Sequence, residues 1–188
     1  RVRKVSVNYS QGWLATAIEQ DGNRQAAWRT DPAQSGCGGA LGDIGVHAFH
    51  LVEFVSGHSI SRLFADVSTL VPGRQLDDDA NILFRLDNDA PGTLSVSQVA
   101  TGDINDLTIR VHGERGTLGW SNAAADQLVR RGATGGDTLL HSGMPETGVA
   151  TRLPAGHGEG FIEAFATLYA EFAEVVGGTA HPATLPGI

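Results

Sequence analysis

Asp43 and His47 are the two residues of this chain whose types and spacing most directly suggest chemistry. They lie four residues apart in the stretch Gly-Asp-Ile-Gly-Val-His at positions 42–47, and on a helix this spacing places a carboxylate and an imidazole on one face. An imidazole can exchange a proton near neutral pH, and a nearby carboxylate can fix its tautomer and raise its basicity. We therefore expect an acid/base site here. The spacing alone fits equally well a partly buried histidine held by its aspartate neighbour.

Three further residues are candidates for binding a substrate. Trp28 offers a flat apolar face of the kind on which sugars stack, and Arg29 offers a fixed fork of hydrogen-bond donors. The alternative is that Trp28 closes the edge of the core while Arg29 pairs with Asp31. His157 lies between two glycines just before the last predicted helix, where backbone amides can meet an anionic or hydroxyl group. The alternative is an ordinary loop histidine, with Glu159 complementing the helix dipole.

A metal site is a third interpretation of the first motif. Asp43, His47 and His50 lie on successive turns of the predicted helix, and two imidazoles with one carboxylate suit zinc or iron. His50 is equally well explained as a residue on the helix face under a loop. The sequence offers no cysteine pair and no second ligand cluster in support of a metal, so we expect none.

Composition restricts the function classes. The 13 basic and 21 acidic residues give a net charge of 13 − 21 = −8, which disfavours binding to nucleic acid or to an anionic membrane. No apolar run approaches the ~20 residues of a membrane span, and no signal-peptide pattern opens the chain. The single cysteine, Cys37, excludes an internal disulfide and fits a reducing compartment, so we expect a cytoplasmic protein. The first residues have the pattern of a strand already under way, which suggests an excised domain.

The elements that position the candidate residues follow from periodicity. Alternation at Val5, Val7 and Tyr9 predicts a strand, which we extend through residues 13–18. Residues 26–39 are predicted to be a loop. Residues 41–55 carry apolar side chains at helical spacing, and Gly57 ends that helix.

The rest of the chain predicts a sheet and one further helix. Short turns separate six strand-like segments, which implies antiparallel neighbours. The triple aspartate at 77–79 indicates a solvated turn, and 132–148 indicates a polar loop. The aromatic residues of 161–176 repeat at helical spacing and are expected in the core. The sum is an α+β fold: an open, predominantly antiparallel sheet of about six or seven strands with helices packed on one face. The predicted strands are 59–70, 81–86, 93–100, 107–113, 117–120 and 127–131.

Several stretches, taken together, resemble the C-terminal domain of the Gfo/Idh/MocA oxidoreductases. The strongest is Gly-Gly-Ala-Leu-Gly-Asp-Ile-Gly-Val-His at 38–47, in which a glycine-rich turn leads into a helix with a D-x-G-x-H pattern. Ala-Trp-Arg-Thr-Asp-Pro at 27–32 and Tyr-Ser-Gln-Gly-Trp-Leu at 9–14 extend the similarity. Residues 156–165, Gly-His-Gly-Glu-Gly-Phe-Ile-Glu-Ala-Phe, resemble a stretch of sugar- and polyol-acting members.

The resemblance implies a fold like the C-terminal domain of dihydrodipicolinate reductase, following an N-terminal Rossmann domain that binds NAD or NADP. It implies hydride transfer from a sugar, cyclitol or related polyol, with His47 as the acid/base group and Asp43 as its orienting or hydrogen-bonding partner. Trp28, Arg29 and His157 would line the substrate pocket. The exposed sheet face would carry the contact of a homo-oligomer.

Residues 1–188 are thus expected to be one substrate-binding and oligomerisation domain of a two-domain parent. No G-x-G-x-x-G opens a helix after a strand in this sequence, and the Rossmann half with its catalytic lysine is absent from it. We therefore expect the isolated chain to be inactive, because the cofactor carries the hydride chemistry. The alternatives are a non-catalytic binding or assembly module that retains the fold, and a metal-dependent enzyme using Asp43, His47 and His50.

Overall fold

An open sheet of eight strands is the framework of the chain, in a computed structural model that describes residues 1–148, 151–154, 157 and 159–181. The strand order is β2-β3-β4-β1-β5-β6-β7-β8. The α+β class and the open sheet are confirmed, with one strand more than the upper expected number. The strands are β1 (Val2–Ser10), β2 (Ile60–Ser68), β3 (Asp79–Leu86), β4 (Pro91–Ser97), β5 (Asp106–Gly113), β6 (Gly116–Ser121), β7 (Gln127–Gly132) and β8 (Asp137–His141).

The pairing is mostly antiparallel, as the short turns predicted. Among the described pairs with a defined register, five are antiparallel and only β1 with β4 is parallel. Strand β1 lies between β4 and β5 and places Ser10 opposite Asp106. This pairing brings the end of β1 beside the turn that precedes β5. Strand β8 lies in the segment that was predicted to be a polar loop. The sequence did not indicate this strand because it is short, mostly exposed and carries little apolar alternation.

The described α-helices are α1 (Arg24–Arg29), α2 (Pro32–Ser35), α3 (Val46–Ser56) and α4 (Phe161–Val176). Helix α3 packs on one face of the sheet, against β1, β4 and β5. Helix α3 buries Ala48 and Val52 against the sheet, and alternate residues of β3 and β4 form the opposite wall of the core. Burying these apolar side chains is the main stabilising contribution, at about 25 cal/mol per Å². The core cluster contains Val5, Val7, Ile44, Ala48, Val52, Ala80, Ile82, Phe84, Leu86, Ala90, Leu94, Val96 and Ile109.

The predicted helix over 41–55 is confirmed, but its first turn is a π turn. Residues Leu41–Gly45 form this turn, in which the N–H of Val46 donates to the carbonyl of Leu41, five residues earlier. Helix α3 continues from Val46 to Ser56 and ends at Gly57 in the left-handed conformation, as expected. Single π turns inside α-helices are frequent at functional sites.

Two predictions before this helix are wrong. Strand β1 ends at Ser10, because the N–H groups of Gln11 and Gly12 turn to donate to Ser97 and Asp103. The region expected to be a loop contains α1 and α2. Their starts are capped by the side chains of Asn23 and Asp31, which accept hydrogen bonds from backbone N–H groups of the first turns.

The triple aspartate is not a solvated turn. Asp78 is 2% exposed and accepts hydrogen bonds from the N–H groups of Leu70 and Val71. The Asp77 carboxylate accepts from the N–H groups of Gly39 and Leu41, both at 2.7 Å. Asp77 therefore satisfies donors at the start of the π turn and places a negative charge at the positive end of the helix.

The chain divides into two compact units. The first contains residues 1–124 and 128–139, and the second contains 125–127 and the described residues from Leu140 onward. Helix α4 in the second unit has the predicted bounds, but none of its residues is buried. The expectation of core aromatics is wrong for this chain, since Phe161 is 79% and Tyr169 70% exposed. Within the part of the chain that the structure describes, no helix is long and apolar enough to cross a membrane.

Candidate functional site

The π turn, the start of α3 and the end of β1 surround an open pocket of about 390 Å³. Its walls come from four separate segments of the first unit. Asp43 and His47 both line it, so the two residues of the central motif share one concave surface. The lining residues are Tyr9, Gln11, Trp13, Arg29, Asp43, Ile44, His47, Ile104 and Asn105.

The Asp43 carboxylate is held by two donors other than His47. Its Oδ2 accepts hydrogen bonds from Arg29 Nε at 3.2 Å and from Gln98 Nε2 at 2.7 Å. The side chain of Asp43 is 32% exposed. No hydrogen bond joins Asp43 to His47, two residues that the structure describes in full. The regular i, i+4 geometry does not apply here because Asp43 lies in the π turn.

His47 is exposed at the edge of the pocket, in the first turn of α3. Its ring centroid lies 6.4 Å from that of Tyr9. Ala48 beside it is completely buried and anchors this turn to the core. An imidazole that is accessible on a rigid helix can exchange a proton with a bound molecule.

Arg29 connects Asp43 to two tryptophans. Its guanidinium carbon lies 4.1 Å from the ring centroid of Trp28 and 5.8 Å from that of Trp13. Its Nη1 also donates to Gln25 Oε1 at 2.6 Å. These contacts hold the planar fork by cation–π attraction and hydrogen bonds. The alternative pairing of Arg29 with Asp31 does not form, because Arg29 pairs with Asp43 and Asp31 caps α2.

A second set of hydrogen bonds fixes the opposite wall. Asn105 Oδ1 accepts from Tyr9 Oη and from Gln11 Nε2, each at 2.8 Å. Gln11 Oε1 accepts from Trp13 Nε1 at 2.9 Å. Burial raises the pKa of the Tyr9 hydroxyl, its hydrogen bonds oppose that rise, and the nearby Asp43 charge adds to it, so the pKa lies above its ordinary value.

The other candidate residues lie in different places. Trp28 lines a neighbouring pocket with Arg24, Gln25 and Gln34, and is 38% exposed. His157 belongs to the second unit, is exposed, and its Nδ1 lies 3.3 Å from the carbonyl of Pro154. Part of its surrounding motif, at 155, 156 and 158, lies outside the described residues.

The geometry gives no support to a metal centre. Across the described ranges of the chain, no three His, Cys, Asp or Glu side chains are arranged to hold a metal ion. His50 is exposed, lies outside the pocket and stacks on Phe54 with ring centroids 6.0 Å apart.

Sequence reasoning missed two residues that the site uses. Gln98 directly follows β4, continues the inward-facing alternation of Leu94 and Val96, and is 2% exposed. A polar residue at a core position was the available signal. Asn105 lies in the turn before β5, and nothing in its local sequence distinguishes it from an ordinary turn residue.

The chain is similar in sequence to a known domain family and to an oxidoreductase. Residues 1–119 match the family described as the GFO/IDH/MocA C-terminal domain. The chain is 30% identical over 179 residues to the uncharacterized oxidoreductase YfiI of Bacillus subtilis (strain 168), covering 92% of this chain and 45% of that protein.

The chain is also similar to solved structures of dehydrogenases and a dehydrogenase homolog. An inositol dehydrogenase homolog from Azotobacter vinelandii, complexed with NAD+, superimposes with a TM-score of 0.86 at 31% identity, covering 95% of this chain and 47% of that one. Its complex with NADH and myo-inositol gives a TM-score of 0.81 at 29% identity, covering 95% and 46%. A levoglucosan dehydrogenase complexed with NADH and levoglucosan gives 0.81 at 25% identity, covering 96% and 50%.

The chain spans about half the length of these relatives. The match over most of its residues and the shared fold agree with the resemblance carried by the D-x-G-x-H motif. The chain therefore belongs to the Gfo/Idh/MocA family, whose C-terminal domain it matches.

Proposed function

We propose that residues 1–188 form the substrate-binding half of an NAD- or NADP-dependent oxidoreductase that acts on a sugar, cyclitol or related polyol. The observation that carries this proposal is the open pocket in which Asp43, His47, Tyr9 and Asn105 present polar atoms on a rigid frame. Relatives solved with myo-inositol or levoglucosan support the substrate class. Neutral polyols need several hydrogen-bonding groups in one pocket, which this arrangement supplies.

His47 would exchange the proton of the reacting hydroxyl. In the oxidation, the hydroxyl proton passes to an unprotonated ring nitrogen of His47 while a carbonyl forms at the carbinol carbon. The nicotinamide dinucleotide would supply the hydride acceptor for this oxidation. The chain has no G-x-G-x-x-G between a strand and a helix, so the dinucleotide would be held by an N-terminal Rossmann domain of a longer parent. This division implies that the isolated chain is inactive.

Asp43 would bind and orient the substrate directly. Its Oδ2 is engaged by Arg29 and Gln98, whereas its Oδ1 accepts no hydrogen bond from a described residue. A substrate hydroxyl can donate to this free oxygen. Because Arg29 donates its Nε hydrogen bond to Asp43, we assign it a positioning role at the substrate site. Trp28 and His157 stay predictions as substrate-binding residues.

The test uses the full-length protein and follows NAD(P)H formation with myo-inositol, levoglucosan and other polyols. His47→Gln should reduce kcat by roughly 10²–10⁴, the usual contribution of a general acid/base. His50→Gln is the matched control, because His50 lies on the same helix outside the pocket, and its kcat should not change. An unchanged kcat in His47→Gln would remove His47 from the mechanism. Loss of activity and of bound zinc or iron in His50→Gln would favour the metal-dependent alternative.

A wild-type protein that binds polyols without turnover, with either dinucleotide, would favour a binding or assembly module instead.

We also propose that the open face of the sheet carries self-association. That face presents Phe64 and Leu83, 69% and 60% exposed, on paired positions of β2 and β3. Light scattering should show an oligomer, and Leu83→Arg should lower its mass to that of a smaller assembly. An unchanged mass in Leu83→Arg would show that this face does not carry the self-association.

A further inference from the structure

The indole of Trp13 determines the hydrogen-bond polarity of one pocket wall. Trp13 Nε1 lies 2.9 Å from Gln11 Oε1. An indole N–H can only donate, so the Gln11 atom that it contacts must be the amide oxygen. The amide nitrogen of Gln11 is then the group that faces the next residue in the network.

The same reasoning fixes the amide of Asn105. Gln11 Nε2 is a donor and lies 2.8 Å from Asn105 Oδ1. A reversed Asn105 amide would place two N–H groups against each other, so the oxygen must face Gln11. Tyr9 Oη donates to the same oxygen at 2.8 Å. Both acceptor sites of Oδ1 are thus used inside the protein.

The amide nitrogen of Asn105 is the group that is left for a ligand. Asn105 Nδ2 donates to no described residue, and Asn105 is exposed where it lines the pocket. The backbone carbonyl of Asn105 accepts from Asn122 Nδ2 at 3.2 Å, which anchors the turn.

The neighbouring groups are acceptors. The Tyr9 proton is used in the bond to Asn105, so its oxygen can only accept from a ligand while the hydroxyl stays protonated, as its raised pKa favours. Asp43 Oδ1 is a second free acceptor. An anionic ligand group would meet the Asp43 charge without offering it a proton, whereas a hydroxyl both donates and accepts.

We propose that Asn105 is a specificity-determining residue whose Nδ2 donates to the oxygen of a hydroxyl on a neutral polyhydroxylated ring. This hydroxyl is not the one that His47 deprotonates. The inference rests on the proposed function and extends it, because it assigns recognition of a second hydroxyl to the hydrogen-bonded side chains of Trp13, Gln11 and Asn105. A site built to donate to a hydroxyl discriminates strongly against a ligand without it.

Two substitutions in the full-length protein separate this role from a structural one. Asn105→Asp keeps an oxygen for Tyr9 and Gln11 but removes the Nδ2 donor, and Asn105→Leu removes the donor without adding charge. With myo-inositol and levoglucosan as probes, both should raise KM about tenfold or more while kcat changes less than about threefold. Asn88→Asp, the same chemical change in the turn between β3 and β4 and outside the pocket, should leave KM unchanged.

Monodeoxy derivatives of both probes locate the hydroxyl. In the wild type, one derivative should show a KM about tenfold or more above that of its parent, and this difference should fall below about threefold in Asn105→Leu. An effect in Asn105→Asp but not in Asn105→Leu would reveal charge repulsion and overturn the inference. Equal deoxy penalties in the wild type and in Asn105→Leu would also overturn it. A wild type that neither binds nor oxidises any polyol would overturn the proposed function as well.

Discussion

Gln98 Nε2 lies 2.7 Å from Asp43 Oδ2 and joins the end of β4 to the π turn across 55 residues of sequence. Gln98 is almost completely buried, and its backbone N–H donates to the carbonyl of Asp78. The carboxylate of the central motif is therefore oriented by Gln98 and Arg29 and not by the histidine one turn away.

Gln98→Leu should lower kcat/KM about tenfold, because a loosened Asp43 loses its orientation toward the substrate. Arg29 still holds the carboxylate, so the free energy of unfolding should fall by only about 1–2 kcal/mol. Steady-state kinetics and urea unfolding of the full-length protein measure the two effects. Gln20→Leu, at an exposed position before α1, is the control, and equal kinetics in both variants would contradict the role of Gln98.

Arg29→Ala should also reduce kcat/KM, by about tenfold or more, because Asp43 loses its cationic partner. Guanidinium ion at millimolar concentration should restore part of the activity, whereas potassium should not, since a planar fork can donate to Asp43 and also stack on the Trp28 ring. Arg24→Ala, at the start of the same helix, is the control. Recovery with both ions alike would argue for a general charge effect.

Arg74→Met should destabilise the protein by about 3–5 kcal/mol, because it leaves two carboxylates without their buried partner. The Arg74 side chain is 3% exposed, binds both oxygens of Glu19 at 3.1 Å and lies 3.4 Å from Asp78. Arg62→Met removes an exposed pair with Asp89 and should cost about 0–1 kcal/mol. Chemical unfolding compares the two, and similar costs would contradict this account.

Glu19 should make stability depend on pH below its ordinary pKa of 4.5. Burial alone would raise the pKa of Glu19, but the hydrogen bonds and charge of Arg74 outweigh it, and the net pKa is lowered. A lowered pKa in the folded state stabilises the protein above pH 4.5, and this contribution is lost as the pH falls through the folded value. Urea unfolding of wild type and Glu19→Gln from pH 7 to 3 tests this. The stability difference between them should shrink as the pH falls, and a constant difference would contradict the shift.

Gly39→Ala should disturb the start of the π turn, whereas Gly42→Ala should not. A Cβ at Gly39 would lie 2.0 Å from the backbone oxygen of Asp77, but a Cβ at Gly42 meets nothing within 4 Å. We expect Gly39→Ala to cost about 1–3 kcal/mol in unfolding free energy and to weaken activity. Gly42→Ala should be neutral or slightly stabilising. Thermal unfolding and steady-state kinetics of both variants test this difference. A Gly39→Ala variant of unchanged stability would contradict the close approach of the Asp77 backbone to Gly39.

The sequence predicted those elements whose signals are local. The helix over 41–55, its end at Gly57 and the bounds of α4 follow from apolar spacing, and the antiparallel turns follow from short connections. The same reasoning failed at residues 13–18 and 26–39, where caps at Asn23 and Asp31 and contacts with distant strands override weak local preferences.

By itself, the sequence determined the family, the α+β class and the presence of Asp43 and His47 on one helical segment, because periodicity and motif spacing are properties of neighbouring residues. Only the tertiary structure decided what holds these side chains. Arg29, Tyr9 and Asn105 reach the pocket from separate segments, and the buried Gln98 reaches Asp43 from the end of β4. Asp77 reaches the start of the helix from a turn 36 residues away from Leu41. Hydrogen bonds between such distant residues depend on strand order and register, which no local pattern encodes.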